Sequence, residues 1–464
     1  MKHRFSGIIF LLVTLFSLHP ALAQTDTVIT QCDYQHVKKA VATGGSIVLD
    51  CDRVIQIWSN KPLTIEIDTT IKPADGRTVT FEALKGRAFV VNAGITLTLD
   101  NMTIQGNANQ IGGGIENNGG MMLISNVIFE NNDSSPGAAV LNHADGNVTI
   151  TSSLFSDNQS FGSGGAIYND ARAEMTISDT TFIHNKSWGE IDSGGGAILN
   201  FGKMTIRSST FHGNVAEGTY VWGGAILNSK NGILTVFNST FANNSAHMSG
   251  GAIRNDNQAE TTIEFSTFVE NSADILGGAL YIEGGYLNVH NSLFSHNTAN
   301  KFESDCANEY TLGAIRASNN LSNAGCGETD ATGVASLSSN GGSTQTVAIA
   351  SDSNAIDAAS ECPADAIDQR GTARPQGKAC DIGAYEFVEL STAATTVNLC
   401  QITTTRDIRL REEPNTASTV LAVVPHNSTF QALEQVTGWY HITYGTVDGW
   451  ISAEFVTAKG SCGG

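Results

Sequence analysis

The sequence predicts an all-β fold in which a long parallel β-solenoid precedes a small β-barrel. Two phrases recur: Gly-Gly-Ala-Ile/Leu returns every 27 to 31 residues, and Phe-x-x-Asn returns every 26 to 30. Self-similarity at a fixed period is typical of repeat architectures. Pieces rich in Thr, Ile, Val and Phe lie between these phrases, separated by Gly, Asn, Ser and Asp, with no amphipathic helical pattern. Each period therefore predicts one solenoid coil of short strands.

The phrases have definite positions in the chain. The first begins at Gly164, Gly195, Gly223, Gly250 and Gly277; the second begins at Phe129, Phe155, Phe182, Phe211, Phe241, Phe268 and Phe294. Coils stack about 4.8 Å apart, so equivalent side chains lie directly above one another. We expect Phe to stack on Phe inside the solenoid and the Asn of each phrase to form an amide ladder. The glycines would supply sharp turns with positive φ.

The first residues have the pattern of a secretory signal peptide. A charged Lys2-His3-Arg4 precedes an apolar run over 7–18 and a small-residue cleavage site at 21–23. The run is shorter than the roughly 20 apolar residues of a membrane span. We expect residues 1–23 to be removed and the mature chain to be exported, with no integral membrane segment.

Eight cysteines fit an oxidising compartment. Taken as neighbours in order they predict four local disulfides: Cys32–Cys51, Cys306–Cys326, Cys362–Cys380 and Cys400–Cys462. Other connectivities remain open at the level of sequence. No CxxC motif or His/Cys cluster predicts a metal site.

The formal charge of −20 disfavours a nucleic-acid partner, because an acidic surface repels phosphates. No cofactor is predicted, although scattered carboxylates could gather Ca²⁺.

The solenoid is predicted over 24–300, with clear repeats at 110–300 and less regular coils before them. A short helix between Cys32 and Cys51, over 33–42, would cap its first coil, since an open end exposes core and strand edge.

The paired phrases resemble the repeats of polymorphic outer-membrane proteins, a right-handed parallel β-helix group of bacterial surface proteins. The resemblance implies a right-handed, three-sided β-helix, often an autotransporter passenger that acts in adhesion. Unlike that pattern, no series of alternating strands follows the repeats, so we do not expect self-insertion into the outer membrane.

The segment after the repeats carries a second resemblance. "NGGSTQTVAIASDSNAIDAA" from Asn340 and "DQRGTARPQGKACDIGAYEF" from Asp368 resemble the C-terminal element described as a choice-of-anchor domain. We expect 301–389 to continue and cap the solenoid, with surface attachment as the functional alternative. A small, polar linker follows over 390–399.

Residues 400–464 contain five short strand-like pieces, which predict a small barrel. "LREEPNTASTVL", "GWYHI" and "GWISAEFV" resemble the bacterial SH3 family, whose members commonly bind cell-wall peptides or glycans. The aromatic candidates for ligand contact are Trp439, Tyr440, Tyr444 and Trp450, with barrel core as the alternative for each.

Two coils carry insertions between Asn and the next Gly-Gly: 186–194 and 215–222, against four or five residues in most coils. Insertions in a solenoid form loops on one face, often the binding face. They carry Trp188, Glu190, Asp192, Glu217, Tyr220 and Trp222. Aromatic rings with carboxylates suit sugar binding, whereas packing of the loops against each other is the alternative.

The sequence therefore predicts an exported, cell-surface or extracellular bacterial binding or adhesion protein. Its partners would be peptidoglycan, other glycans, or a host or neighbouring cell surface. One alternative is a polysaccharide lyase or glycoside hydrolase targeted by the SH3-like module; another is a structural matrix component. No catalytic residues are predicted, because Glu130, Asp157, His184, Glu270 and His296 vary in place between coils and no paired-Asp signature occurs.

Overall fold

The computed structural model describes residues 26–58, 61–106, 112–189, 193–300, 302–308, 313–322, 324–363, 366–389, 400–416, 418–436, 438–444 and 447–459. The chain divides into two compact units, Met1–Val388 and Glu389–Gly464. The predicted signal peptide and linker lie outside the described residues.

The first unit is a parallel β-solenoid, as predicted. The chain visits sheet 1, sheet 2 and sheet 3 in turn and then returns to sheet 1 one coil further on. Sheet 1 comprises Thr27–Ile29, Gly45–Leu49, Thr69–Pro73, Thr96–Asp100, Met121–Ser125, Asn147–Thr151, Glu174–Ser178, Lys203–Arg207, Ile233–Phe237, Glu260–Glu264, Gly285–His290 and Gly313–Ser318. Sheet 2 comprises Arg53–Ile57, Val79–Ala83, Thr103–Gly106, Ile128–Glu130, Leu154–Ser156, Thr181–Ile183, Thr210–His212, Thr240–Ala242, Thr267–Val269 and Leu293–Ser295. Sheet 3 comprises Leu63–Ile65, Gly86–Val91, Gly112–Asn117, Val140–Asn142, Ile167–Asn169, Ile198–Asn200, Ile226–Asn228, Ile253–Asn255, Leu280–Ile282 and Cys306–Asn308.

A fourth, narrower sheet lies between sheets 2 and 3 and was not predicted. Sheet 4 comprises Gln159–Ser160, Lys186–Gly189, Val215–Gly218, Ser245–Ala246, Ser272–Ala273, Thr298–Ala299 and Phe302–Glu303. The two predicted insertions widen it, because their strands are the four-residue ones. After these four-residue strands, the two insertions form a further parallel strand pair, Ser193–Gly194 with Val221–Trp222.

Phenylalanine stacks fill the solenoid, as predicted. The seven rings from Phe129 to Phe294 lie face to face, with centroids 4.6 to 4.9 Å apart and interplanar angles of 10° or less. The first glycine of each Gly-Gly-Ala phrase takes a φ between 62° and 74°, where a side chain would be strained. The Gly-Gly-Ala phrase therefore marks the turn into sheet 3.

Two amide ladders run along the solenoid inside these turns. In the predicted ladder, each Asn side chain from Asn132 to Asn271 donates to the Oδ1 atom of the next Asn at 2.8 to 2.9 Å, and Asn297 donates to Asp305. The second ladder was not predicted and connects Asn117, Asn142, Asn169, Asn200, Asn228 and Asn255. Both ladders are buried, so each amide depends on its neighbours for hydrogen bonds.

The N-terminal end is covered by the predicted helix, Tyr34–Val41, which Asp33 caps by accepting from two backbone N–H groups. Three predicted disulfides are confirmed: Cys32–Cys51, Cys306–Cys326 and Cys362–Cys380. The fourth predicted pair includes Cys462, which lies outside the described residues.

The expectation that 301–389 continues the stack holds only for its first part. Cys306–Asn308, Gly313–Ser318 and Leu321 extend sheets 3, 1 and 2. Residues 324–363 and 366–388, here called the strap, instead pack sideways against the outer face of sheet 2. Thr240 donates to Gln369, Gln369 donates to Thr210, and the Ala384 N–H donates to Thr267. Outward-facing threonines of sheet 2 thus hold the strap, which contains the hairpin Val334–Ser338 and Thr346–Ile349.

Buried ion pairs hold the strap together internally. Arg374 donates to Glu386 at 3.1 Å and to the carbonyl oxygen of Gly383, and both charged side chains are almost fully buried. Arg370 pairs with buried Asp368 and lies 3.5 Å from the ring centre of Tyr385. The charged residues of the "DQRG…DIGAYEF" segment are therefore structural.

The second unit contains small antiparallel sheets, in agreement with the predicted SH3-like barrel. Its strands are Gln401–Thr404, Ile408–Arg411, Val420–Val424, Thr429–Gln431, Glu434–Val436, Trp439–Tyr444, Val447–Ser452 and Val456–Lys459, with a 3₁₀ turn at Ala453–Phe455. Its core includes Ile402, Leu410, Tyr440, Ile442 and Ile451.

We predict that Asn214→Ala lowers the free energy of unfolding by about 3 kcal/mol, because buried polar groups are left unpaired. Asn214 accepts from the backbone and side-chain N–H groups of Asn185 and donates to Phe182 O and Asn244 Oδ1. Denaturant titration followed by circular dichroism measures the loss. Exposed Asn147→Ala is the control, and equal effects of the two variants would contradict the ladder's role.

We also predict that the strap loses stability as pH rises. Burial raises the pKa of Asp381 to about 6 from a usual value of 3.8, although Asp357 and Phe387 N–H groups oppose the shift. The native state therefore binds this proton more tightly than the unfolded state, and the ionisation penalty grows between about pH 4 and 6. The free energy of unfolding of wild type minus that of Asp381→Asn, measured by thermal unfolding, should be larger at pH 5 than at pH 7.5, because only wild type loses stability as the carboxyl group ionises. A difference independent of pH would contradict this.

Candidate functional site

The polar residues beside the Phe-x-x-Asn turns were expected from sequence to vary in place between coils, but four of them share one position. Asp157, His184, Glu270 and His296 occupy one equivalent turn position, each with φ of 54° or 55°. Burial lowers the pKa of neighbouring His212. Within the described ranges, no cluster of three or more His, Cys, Asp and Glu side chains is arranged to hold a metal ion. These residues are explained by turn conformation.

The widened part of sheet 4 presents an exposed aromatic pair. Trp188 is 49% exposed, and its ring meets that of Phe161, 44% exposed, edge to face at 5.7 Å. Trp188 lies opposite Glu217 in the strand register, and Glu217 forms an ion pair with Lys186. Tyr220 is half exposed. Glu190 and Asp192 lie outside the described residues.

Trp222 belongs to a different cluster. Its ring faces the C-terminal coils, where the Arg254 guanidinium lies 4.2 Å from the ring centre. Arg254 donates to Asp256 and Glu283 through Nη2. The loop residues predicted as one site are therefore divided between a Trp188 surface and a Trp222 cluster.

Arg254, Asp256 and Glu283 were missed by sequence reasoning. A signal existed, because "GGAIRN" at Gly250 places Arg where the other clear phrases place Leu or Tyr.

In the second unit, strand alternation sorts the four aromatic candidates into two pairs. Tyr440 is buried in the core, and Tyr444 packs beside the core against Phe430. Trp439 and Trp450 are half-buried on the opposite side of their strands. Tyr440 and Tyr444 are therefore assigned to the barrel interior.

The outer face of this unit combines these tryptophans with arginines. In the strand register Trp439 lies opposite Ser452, His441 opposite Trp450, and Arg411 opposite Trp450. The rings of His441 and Trp450 are 4.7 Å apart. A pocket of about 310 Å³ opens beside this face; its lining includes Arg406, Arg409, Arg411, Thr416, Trp439, Ser452, Glu454 and Phe455. Guanidinium groups beside an indole ring can bind a carboxylate while stacking an apolar or sugar surface.

No helix within the described segments has the length and apolar character needed to cross a membrane.

Comparison with known proteins identifies relatives of both units. Residues 406–457 match the bacterial SH3 domain family, and residues 152–170 and 238–256 match the Chlamydia polymorphic membrane protein repeat. A putative N-acetylmuramoyl-L-alanine amidase, YrvJ, of Bacillus subtilis (strain 168) is 36% identical over 55 residues. That match covers 12% of this chain and only 11% of the relative.

Two solved structures are similar to the chain at low identity. Pectate lyase Pel9A has 13% identity and a TM-score of 0.41, with 78% of this chain and 97% of that chain covered. Tailspike protein 3 of bacteriophage CBA120 has 12% identity and a TM-score of 0.19, with 60% and 57% covered. The family matches show that the chain combines polymorphic-membrane-protein-type repeats in its β-solenoid with a bacterial SH3 domain.

Proposed function

We propose that this protein is an exported bacterial binding protein of the cell surface or extracellular space, whose SH3 domain contacts the cell wall. The observation that carries the proposal is the outer face of the SH3 domain, where Arg409, Arg411, Trp439 and Trp450 lie together. Three disulfides and the repeat type fit the extracellular setting.

The chemistry of this face suits cell-wall peptides. Their carboxylates can accept from the arginines, and Arg409 is exposed in a strand whose neighbouring residues Ile408 and Leu410 are buried. The amidase relative also supports contact with the cell wall, because its name describes an enzyme that acts on a muramoyl–peptide linkage. Only the short aligned segment is shared, so we propose wall contact and not amidase activity.

The solenoid would supply a rigid surface for adhesion. The exposed Phe161–Trp188 pair and the exposed Tyr220 of the next coil offer rings on which a sugar can stack, and Glu217 offers hydrogen-bond acceptors. We propose this Trp188 surface as a glycan contact, with Glu190 and Asp192 as further candidates and Ca²⁺ as a bridging ion to acidic glycans.

We predict that Trp439→Ala and Trp450→Ala each weaken binding of the full chain to purified peptidoglycan about tenfold, the effect expected for an interface aromatic. Co-sedimentation at several salt concentrations measures it. Arg409→Ala should also reduce the salt dependence of binding, since an exposed charge is screened by ions. Tyr444→Phe is the control on the interior side of the same strand. Retention of full binding by both tryptophan variants would refute the proposed face.

We predict that Trp188→Ala reduces retention on immobilised glycans, neutral or uronate, several-fold while the circular dichroism spectrum remains β-rich. Trp58→Ala is the matched control, because Trp58 is 61% exposed on a more N-terminal part of the solenoid. Binding is measured with and without calcium, and soluble fragments are analysed by mass spectrometry. Fragments that require the protein would instead support a polysaccharide-active enzyme, and equal retention of wild type and Trp188→Ala would exclude the Trp188 surface.

A further inference from the structure

One position on the outer face of sheet 3 departs from the solenoid pattern. Its central outward column includes Leu141, Tyr168, Leu199, Leu227, Arg254 and Tyr281. The leucines are at most 7% exposed, and Arg254 is equally buried. A leucine at position 254 would match the preceding two coils, so the packing of the column does not require a charge.

Arg254 is held by four side chains from three successive coils. Trp222 lies 4.2 Å and Tyr281 5.4 Å from the guanidinium, measured to the ring centres. Asp256 and Glu283 both accept from Nη2, at 3.1 and 2.6 Å. The Nε–H is buried without a partner among the described residues, and the whole side chain is 8% exposed. A buried donor without a partner costs free energy, so packing alone does not favour arginine at this position.

The two carboxyl groups form a coupled pair. The hydrogen bond to Asp256, followed by burial, raises the pKa of Glu283. Burial opposes ionisation of Asp256, but hydrogen bonding from Glu283 and the charge of Arg254 outweigh it and lower its pKa. The ionisation of each carboxyl group therefore depends on the other carboxyl group and on Arg254. The side chain of Glu283 remains 38% exposed and that of Asp256 19%.

A contribution to folding stability does not explain why the chain has this cluster. Replacement of a buried ion pair or triad by apolar residues of similar volume is often neutral or stabilising. The Arg254 cluster is therefore better explained by a function than by packing.

The second insertion places the aromatic ring of this cluster. Val221 packs with Ala216 and Ala246 in a small core of its own, and this fixes the neighbouring Trp222. The strand pairing beside it needs glycine, because a Cβ at Gly194 would lie 2.1 Å from the Trp222 carbonyl oxygen. Trp222 itself is half-buried, so part of this residue is accessible to solvent beside the Arg254 guanidinium.

We propose that Trp222, Arg254, Asp256 and Glu283 form a binding site for a neutral saccharide with adjacent hydroxyl groups. The site offers an aromatic ring, a guanidinium donor and two carboxyl groups in one place, and sugar hydroxyls both donate and accept. One arginine paired with two carboxyl groups gives the site no net positive charge, so the site does not attract an anionic sugar. This inference rests on the proposed glycan-binding role of the solenoid but assigns a site separate from the Trp188 surface.

The test is binding of cellohexaose, chitohexaose and mannohexaose to the full chain, measured by calorimetry, with hexagalacturonate as the anionic comparison. We expect at least one neutral hexasaccharide to bind and hexagalacturonate to bind more weakly. Arg254→Leu and Glu283→Gln should each weaken that binding by about tenfold or more, as expected for loss of hydrogen bonds to charged groups. Arg254→Leu leaves two carboxyl groups without their cation and can lower stability, so the circular dichroism spectrum of each variant is compared with that of wild type. Glu283→Gln keeps the size of the side chain and the positive charge of Arg254, and it separates loss of the site from loss of the fold.

Asp170→Asn is the matched control, because Asp170 occupies the turn position equivalent to Asp256 in an earlier coil. Absence of binding by all neutral probes would overturn the inference. The inference would also be overturned if Trp188→Ala lost binding while Arg254→Leu bound fully. That outcome would still support the proposed glycan role of the solenoid. Peptidoglycan binding by the SH3 domain is measured in parallel and should be unchanged in every solenoid variant.

Discussion

Stacking of coils at a spacing of about 4.8 Å is the constraint on which the solenoid depends. A residue in such a stack has the equivalent residue of the next coil as its nearest neighbour, so each column must satisfy its own packing and hydrogen bonding. Phenylalanine can do this by face-to-face stacking, and asparagine can do it because one amide both donates and accepts. The end of the ladder shows the same requirement, since Asn297 donates to Asp305 where the repeat stops.

The same constraint separates structural residues from candidates for function. A residue that repeats in its column is explained by the stack, whereas a departure needs its own cause. Arg254 in a column of leucine and tyrosine is such a departure, and so are the insertions at 186–194 and 215–222. The polar residues beside the Phe-x-x-Asn turns vary in type but share one backbone conformation, so their variation has a local explanation.

The periodic part of the fold could be predicted from sequence, because every coil repeats the same local information. The strap could not, since it binds the outward threonines of sheet 2 through contacts between residues more than 100 positions apart. An outward-facing threonine in a strand can equally well be exposed to solvent. The sequence around Gln369 does not indicate which residues it binds. In the SH3 domain the period of two could have separated Trp439 from Tyr440, because Tyr440 and Ile442 alternate with Trp439 and His441. The Trp188 surface and the Trp222 cluster could not be separated in advance, because adjacent loops do not reveal which way their rings face.

Charge distribution distinguishes the outer face of the SH3 domain from the Trp222 cluster. The chain carries a formal charge of −20, yet three of the four Lys and Arg residues after position 400 are Arg406, Arg409 and Arg411, which line one pocket. Three arginines on one pocket favour an anionic partner there, because they outnumber the two acidic residues of the same lining, Asp407 and Glu454. On the solenoid, Arg254 is compensated by Asp256 and Glu283 and so provides hydrogen bonds without a net positive field. Under these proposals an acidic wall peptide would bind at the SH3 domain and a neutral sugar at the Trp222 cluster, because only the first surface has an excess of positive charge.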